Sequence, residues 1–356
     1  MLGLEEDRIM AKERLKAWWD HEIIDRPVIQ FSYPKLLYGW RGSPDYWALI
    51  KPGATIKTVF DDFEKKIKGR FFGGERLPTF NLNYGPGALG ETLGVEPKFA
   101  NETVWYKKKM PPEDLIDYLE TIEYNKSNTW YYRFLTELEY VARRAGKKYA
   151  IGIPSFGGVI DTLQFFLDFS TIVVKMRRDP EFIDTCRRLI QKKLIQLIED
   201  CNAAVLNHSD GVSNWLRIWG SKDWYVLQED MAYNLSPKYF KRFVLPDIIE
   251  QTESMEYSIY HLDGVNQLKH LDDLLEIPTL TGIQWVPGVQ EKSPGSLKWL
   301  PYFKKIQKAG KNIVIGAAPE ELRPIYKNLD PNGLLVSTGF PHVFSAKKHL
   351  PEFMFN

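Results

Sequence analysis

The chain has 356 residues, of which 44% are apolar and 26% charged. That is long enough for one closed α/β barrel or for two ordinary domains. Its 47 basic and 46 acidic residues leave a net charge of +1, so nothing global draws it to nucleic acid or an anionic membrane. Two cysteines, Cys186 and Cys201, exclude a thiolate-rich zinc site, an iron–sulfur centre and a disulfide scaffold. No window approaches 18 continuous apolar residues, and Met1–Lys12 reads as acidic rather than as a signal peptide. A cytoplasmic protein without a membrane partner is the expectation. The short basic runs Lys107–Lys109 and Lys65–Lys68 read as solvated faces, so no nucleic-acid partner is expected either.

In chain order, residues 5–20 form an amphipathic helix with Ile9, Leu15, Trp18 and Trp19 toward one side. Val28–Phe31 is a strand, Thr58–Lys68 a helix, and Leu77–Leu82 a strand running into the turn Gly85-Pro86-Gly87. Helices follow from Pro112 and over 124–145. Tyr149–Ile153 is a strand, and 161–176 and 180–200 are helical, the latter with Pro180 in its first turn. Short apolar runs at Ala203–Leu206, Tyr225–Gln228, Ser258–Tyr260, Ile283–Val286, Asn312–Ile315 and Leu334–Ser337 complete nine strand candidates. Helical stretches separate most of them, among them one opened by Ser236-Pro237, as well as 296–309 and 319–329. Repeated strand–helix units imply parallel pairing, in a closed barrel, an open doubly wound sheet or two smaller domains.

Polar residues gather just after the strands, where a barrel carries its active site. The densest group is Tyr260-His261-Leu262-Asp263-Gly264. His261 and Asp263 are two apart and share one side of an extended strand end, which suits two metal ligands or an acid–base pair. The alternative is a helix-entry turn capped by Asp263 or Asn266. Glu229 and Asp230 end another strand. Asp230 either completes a carboxylate-rich site or bonds loop amides. His270 and Asp272 read as packing or surface. Asn207, His208 and Asp210, followed by Trp215, Arg217 and Trp219, form a third group that would stack on a ring-shaped ligand or simply pin a loop. Alternation puts Gln284 and Trp285 on opposite faces without saying which faces the pocket. Asn81, Asn83 and Tyr84 beside the Gly-Pro-Gly turn are candidate ligand readers. Glu91 and Glu102 are further carboxylates. The sequence has no dinucleotide fingerprint, phosphate loop or G-x-S-x-G elbow.

Gly85-Pro86-Gly87, Tyr149–Gly158, Leu227–Asp230 with Ser236-Pro237, Phe240–Pro246, His261–Gly264 and Gly282–Gly288 together resemble the uroporphyrinogen decarboxylase superfamily, which includes corrinoid-dependent methyltransferases. The segment from Tyr260 to Gly288 looks especially like a divergent branch labelled trimethylamine corrinoid protein 2. The resemblance, over roughly Arg26–Phe353, implies a single (β/α)8 TIM barrel at 27–356 with an N-terminal helical extension at 1–26. Residues 203–222 would then be an elaboration over the barrel mouth. Family decarboxylases hold propionates with an arginine-rich segment that Ser32-Tyr33-Pro34-Lys35 does not reproduce, so porphyrinogen decarboxylation is not expected. Family thiol methyltransferases bind zinc through His-x-Cys and a distant Cys. His261 matches the histidine, but Asp263 and Phe340 stand where the cysteines would be, leaving a harder divalent-metal site of His261, Asp263 and Asp230. The resemblance implies methyl transfer involving a methylated small molecule. A corrinoid would ride on a separate protein, since no Asp-x-His-x-x-Gly segment occurs here. The competing readings are a lyase or glycoside hydrolase using paired carboxylates, and a non-catalytic ligand-binding barrel. The sequence does not speak to oligomeric state.

Overall fold

A computed structural model describes residues 4–35 and 43–354, with the side chains of 4–7 excepted. Among these residues the strands are β1 (Val28–Pro34), β2 (Arg70–Gly74), β3 (Thr79–Asn81), β4 (Pro97–Phe99), β5 (Val104–Tyr106), β6 (Ala150–Gly152), β7 (Trp224–Leu227), β8 (Tyr257–Asp263), β9 (Gly282–Val286), β10 (Asn312–Gly316) and β11 (Leu334–Gly339). Seven of them form a mixed sheet in the order β2-β1-β11-β10-β9-β8-β7. It is parallel throughout except where β2 runs antiparallel to β1. A parallel pair, β3–β6, and an antiparallel pair, β4–β5, stand apart from it. The result is an α/β fold, broadly TIM-barrel-like, with helices between successive parallel strands. No ladder among the described residues joins β3–β6 to the large sheet, so the hydrogen bonding does not form a continuous eight-stranded ring.

Local chemistry sets the elements. Thr55 and Thr58 make reciprocal caps at the start of helix Ile56–Ile67. Ser236 accepts from Tyr239 N to start Pro237–Phe243, as the Ser-Pro signal predicts. The helix expected over 161–176 is two helices, Val159–Phe166 and Phe169–Arg178, broken where Leu167 and Asp168 turn extended.

Ala203–Leu206, expected as a strand, is instead the last turn of helix Pro180–Leu206. Leu194, Leu197, Ile198, Cys201 and Val205 are buried at helical spacing, and nothing in Asp200-Cys201-Asn202 breaks that period. The surplus strand candidate disappears with it. Strand β2 and the β4–β5 hairpin were not anticipated.

The N-terminal helix Leu4–Trp19 buries Ala11, Leu15, Trp18 and Trp19, a run at i, i+4, i+7 and i+8, while Ile9 is exposed on the other side. Its tryptophans seal the end of the sheet where strands begin. Trp19 stacks on Tyr257 at the start of β8 and lies edge-on to Trp224 at the start of β7. Asn312, opening β10, donates to Trp18 O at 2.7 Å and bonds His21. With this end plugged, the strands' C-terminal ends form the open mouth. No helix among the described residues is long and apolar enough to cross a membrane.

Candidate active site

His261 and Asp263 project from the last residues of β8, and Asp230 follows β7 at the start of a short 3-10 turn. A ring nitrogen of His261 and one oxygen from each aspartate lie within 4.8 Å of one another. Gly264, at φ +88°, turns the chain away directly after Asp263, and a side chain there would strike Tyr233. The two-residue spacing predicts a shared side for His261 and Asp263, and His261 Nε2 lies 3.8 Å from Asp263 Oδ2.

The imidazole is oriented from behind. The register pairs His261 with Gln284 on β9, and His261 Nδ1 hydrogen-bonds Gln284 Oε1. An amide oxygen only accepts, so Nδ1 carries the proton. Burial lowers the histidine's pKa, outweighing the opposing pull of Gln284 and Asp263, which keeps the ring neutral with a lone pair on Nε2. Trp215 packs edge-on against the ring at 4.9 Å, and its own indole nitrogen is buried without a partner.

Asp230 is placed by carboxylates that serve as helix caps. Fully buried Glu229 accepts from Ile160 N and Asp161 N at 3.0 and 2.8 Å, capping Val159–Phe166, whose N-cap, Gly158, has no side chain to do so. A Cβ at Gly158 would meet that carboxylate at 2.6 Å, so only glycine allows the approach. Asp161 returns the contact, accepting from Asp230 N and Met231 N at 2.7 Å each. Glu229 is therefore structural, holding helix amides, and the carboxylate bonding loop amides is Asp161 rather than Asp230. The Asp230 side chain faces the mouth. The surrounding protein, then the charges of Asp161 and Asp263, push its carboxyl up to about 7.

The cleft above this cluster encloses about 810 Å³ of empty space, partly open to solvent, and is walled by Tyr46, Trp47, Asn83, Ser155, Trp215 and Gln228. Asn83 belongs to it, held by Nδ2 donating to Tyr46 O and Oδ1 accepting from Gly85 N. Glu102 also reaches its rim. Alternation resolves at β9: Gln284 faces His261, while Trp285 packs on Trp299 in the helix layer.

Other expected site residues lie elsewhere. Tyr84 is buried against Trp130 and Phe134, its hydroxyl donating to Glu137. Asp210 forms an ion pair at 2.6 Å with Lys12 of the N-terminal helix, and Trp219 O accepts from Trp19 Nε1. Both sit at the plugged end, opposite the mouth. His208 accepts from Arg143 at 3.1 Å. Residues 207–222 thus climb alongside β6, where Ser213 bridges Gly152, carry a half-buried Trp215 and Arg217 at the tip, and return to the floor at Gly220. Asn81 abuts Gly152 and lines a neighbouring hollow with Tyr46 and Arg217. His270 stacks on Phe240 at 4.1 Å and bonds Ala232 O, as a packing residue does. Asn266 donates to Tyr233 O rather than capping a helix. Phe340 is buried edge-on against Phe31 and offers no ligand. The Tyr46-Trp47 wall has no local signal in the sequence, because no apolar periodicity leads into it.

The donor set fits a divalent cation. One imidazole nitrogen and two carboxylate oxygens suit a borderline-to-hard ion, Gln284 provides the outer-shell bond that fixes a ligating histidine, and the mutual repulsion of the aspartates is what a cation relieves.

No protein-family model matches the chain, and no curated protein does. Among solved structures, it is similar to a methyltransferase from Methanosarcina mazei, with a TM-score of 0.59 and 12% sequence identity over 97% of this chain and 95% of that one. This distant likeness is one of fold.

Proposed function

We propose that the protein is a metal-dependent methyltransferase acting on a small molecule in the cleft above Asp230, His261 and Asp263. The observation that carries this reading is the cluster itself: three ligand atoms within 4.8 Å at the mouth of a fold shared, at a distance, with a methyltransferase. A bound divalent cation would supply Lewis acidity, lowering the pKa of a thiol or hydroxyl acceptor. His261 Nε2, Asp230 and Asp263 would hold the ion. Gln284 keeps the His261 lone pair turned toward it. Trp215 and Trp47 shield the cleft from water, and Asn83 and Ser155 orient the acceptor. The methyl group leaves its donor as a cation equivalent and bonds to the acceptor, whose proton passes out through the open mouth. A corrinoid donor would come from a partner protein.

We read β1, β3 and β6–β11 as one eight-stranded barrel over 27–356, with 1–26 as an extension of which residues 1–3 lie outside the described residues. What supports this is that the Tyr225 side chain on β7 bonds Phe156 N and Pro154 O after β6, spanning one gap, while β2 and Glu75 cover the other beside β1. The glycosidase alternative loses support, because Trp219 and Trp285, two of its three stacking candidates, are outside the cleft.

The test is demethylation of methylcobalamin with a panel of small thiols and alcohols, followed by loss of the methyl–cobalt absorbance. Metal-dependent turnover abolished by His261→Ala supports the reading. Absence of turnover together with absence of metal binding overturns it.

A further inference from the structure

Three arginines converge beside the cleft without a carboxylate partner among the described residues. Arg70 opens β2, Arg76 follows it, and Arg217 stands at the tip of the 207–222 segment in the left-handed region, φ +60°. They line one hollow of about 540 Å³ with Ser32 and Ser43. Their bonds are to neutral groups. Arg70 donates to Ser32 Oγ and Ser43 Oγ at 3.0 Å each, and Arg76 donates to Gln30 Oε1 at 3.3 Å. Gln30 in turn donates to Arg217 O. None of the three makes an ion pair among the described residues. Two acids lining the adjoining hollow with Arg217, Asp45 and Asp62, are taken by Lys51 and Lys66.

Gathering guanidinium groups without a counter-charge is costly. Burial, then the charges of Arg217 and Arg70, brings the Arg76 guanidinium down to about 9. Burial likewise lowers Arg70 and Arg217. Elsewhere in the molecule arginines in comparable positions are neutralised, as Arg26 is by Glu75 and Arg187 by Asp247. Guanidinium forks match the paired oxygens of carboxylate, phosphate and sulfonate, so an oxyanion supplies the missing partner.

We propose that Arg70, Arg76 and Arg217 form an oxyanion-binding site for the acidic group of a small molecule. The hollow shares Arg217 with the one that Tyr46 and Asn81 line, and Tyr46 also walls the His261 cleft. An acid held by the arginines therefore sits next to that cleft. The site itself does not depend on the metal reading.

The experiment is thermal unfolding and calorimetric titration with sodium phosphate, sulfate and malonate, at ionic strength matched with sodium chloride, on protein dialysed free of divalent metal. The wild type is expected to bind at least one of these anions, with affinity falling tenfold or more in Arg76→Ala and Arg217→Ala. The ranking of malonate against phosphate and sulfate assigns the acid class. Arg217→Ala without anion should unfold at the same temperature as wild type or higher, since it relieves repulsion; an arginine kept for structure would do the opposite. Among the described residues Arg217 is hydrogen-bonded through its backbone alone, so this variant remains informative should Arg76→Ala fail to fold. Equal anion response in wild type and Arg217→Ala, or no response in wild type, overturns the proposal.

Discussion

His261 Nδ1 donates to Gln284 Oε1 across the β8–β9 register, which leaves the opposite ring nitrogen facing Asp230 and Asp263. Such outer-shell bonds are worth roughly 10–100-fold in metal affinity. Gln284→Leu should weaken binding of zinc or cobalt by about that factor, measured by titration calorimetry, with the far-UV circular dichroism unchanged. Gln284→Glu, which still accepts from Nδ1, should restore most of the affinity.

Glu229 and Asp230 are adjacent in sequence but differ in what their loss should do. Glu229→Gln weakens an N-terminal cap inside the core and should cost on the order of 1–2 kcal/mol in urea unfolding. Asp230→Asn should leave stability within about 0.5 kcal/mol, or raise it, while abolishing metal binding.

The tryptophans of the 207–222 segment separate in the same way. Trp219→Ala opens a cavity against Trp19 and Gly211 at the plugged end and should cost about 3–5 kcal/mol, with metal affinity unchanged in the protein that remains folded. Trp215→Ala should cost much less stability and alter occupancy of the cleft. Intrinsic fluorescence quenching by Co²⁺ in the wild type, lost in Trp215→Ala, would report this.

Glu91 is buried beside Tyr106, and neither of its carboxylate oxygens makes a hydrogen bond of good geometry. Burial holds its pKa well above the ordinary value, against the pull of Arg133 and Tyr106. The folded chain keeps a proton that the unfolded chain releases near pH 4.5. This stabilising contribution is complete below that pH and declines as pH rises toward the folded value, by at most about 1.4 kcal/mol per pH unit. Glu91→Gln should flatten that decline, gaining over wild type at pH 8 and matching it at pH 4, in urea titrations across the range.

Much of the fold was legible because strand and helix periods alternate cleanly from Tyr149 onward, and eight of nine strand candidates are strands. The exception, Ala203–Leu206, is too short for periodicity to tell strand from buried helix. The His261–Asp263 pair was legible because two-residue spacing at a strand end fixes a common side. Asp230 joins it through Asp161 and Glu229, a contact about 70 residues long in sequence that no local pattern encodes. Asp210 and Trp219 follow the end of a helix rather than of a strand, and their segment returns to the floor, so proximity to an apolar run does not bring them to the mouth. The arginine trio draws on three separated positions, so the sequence displayed its members without their meeting.

The most direct measurement is a crystal structure of untagged protein soaked with Zn²⁺ or Co²⁺, with anomalous maps collected at the metal edge. The account predicts one anomalous peak bonded to His261 Nε2 and to oxygens of Asp230 and Asp263, at about 2.0–2.2 Å. A clear map with no peak there, and His261 still bound to Gln284, would contradict it.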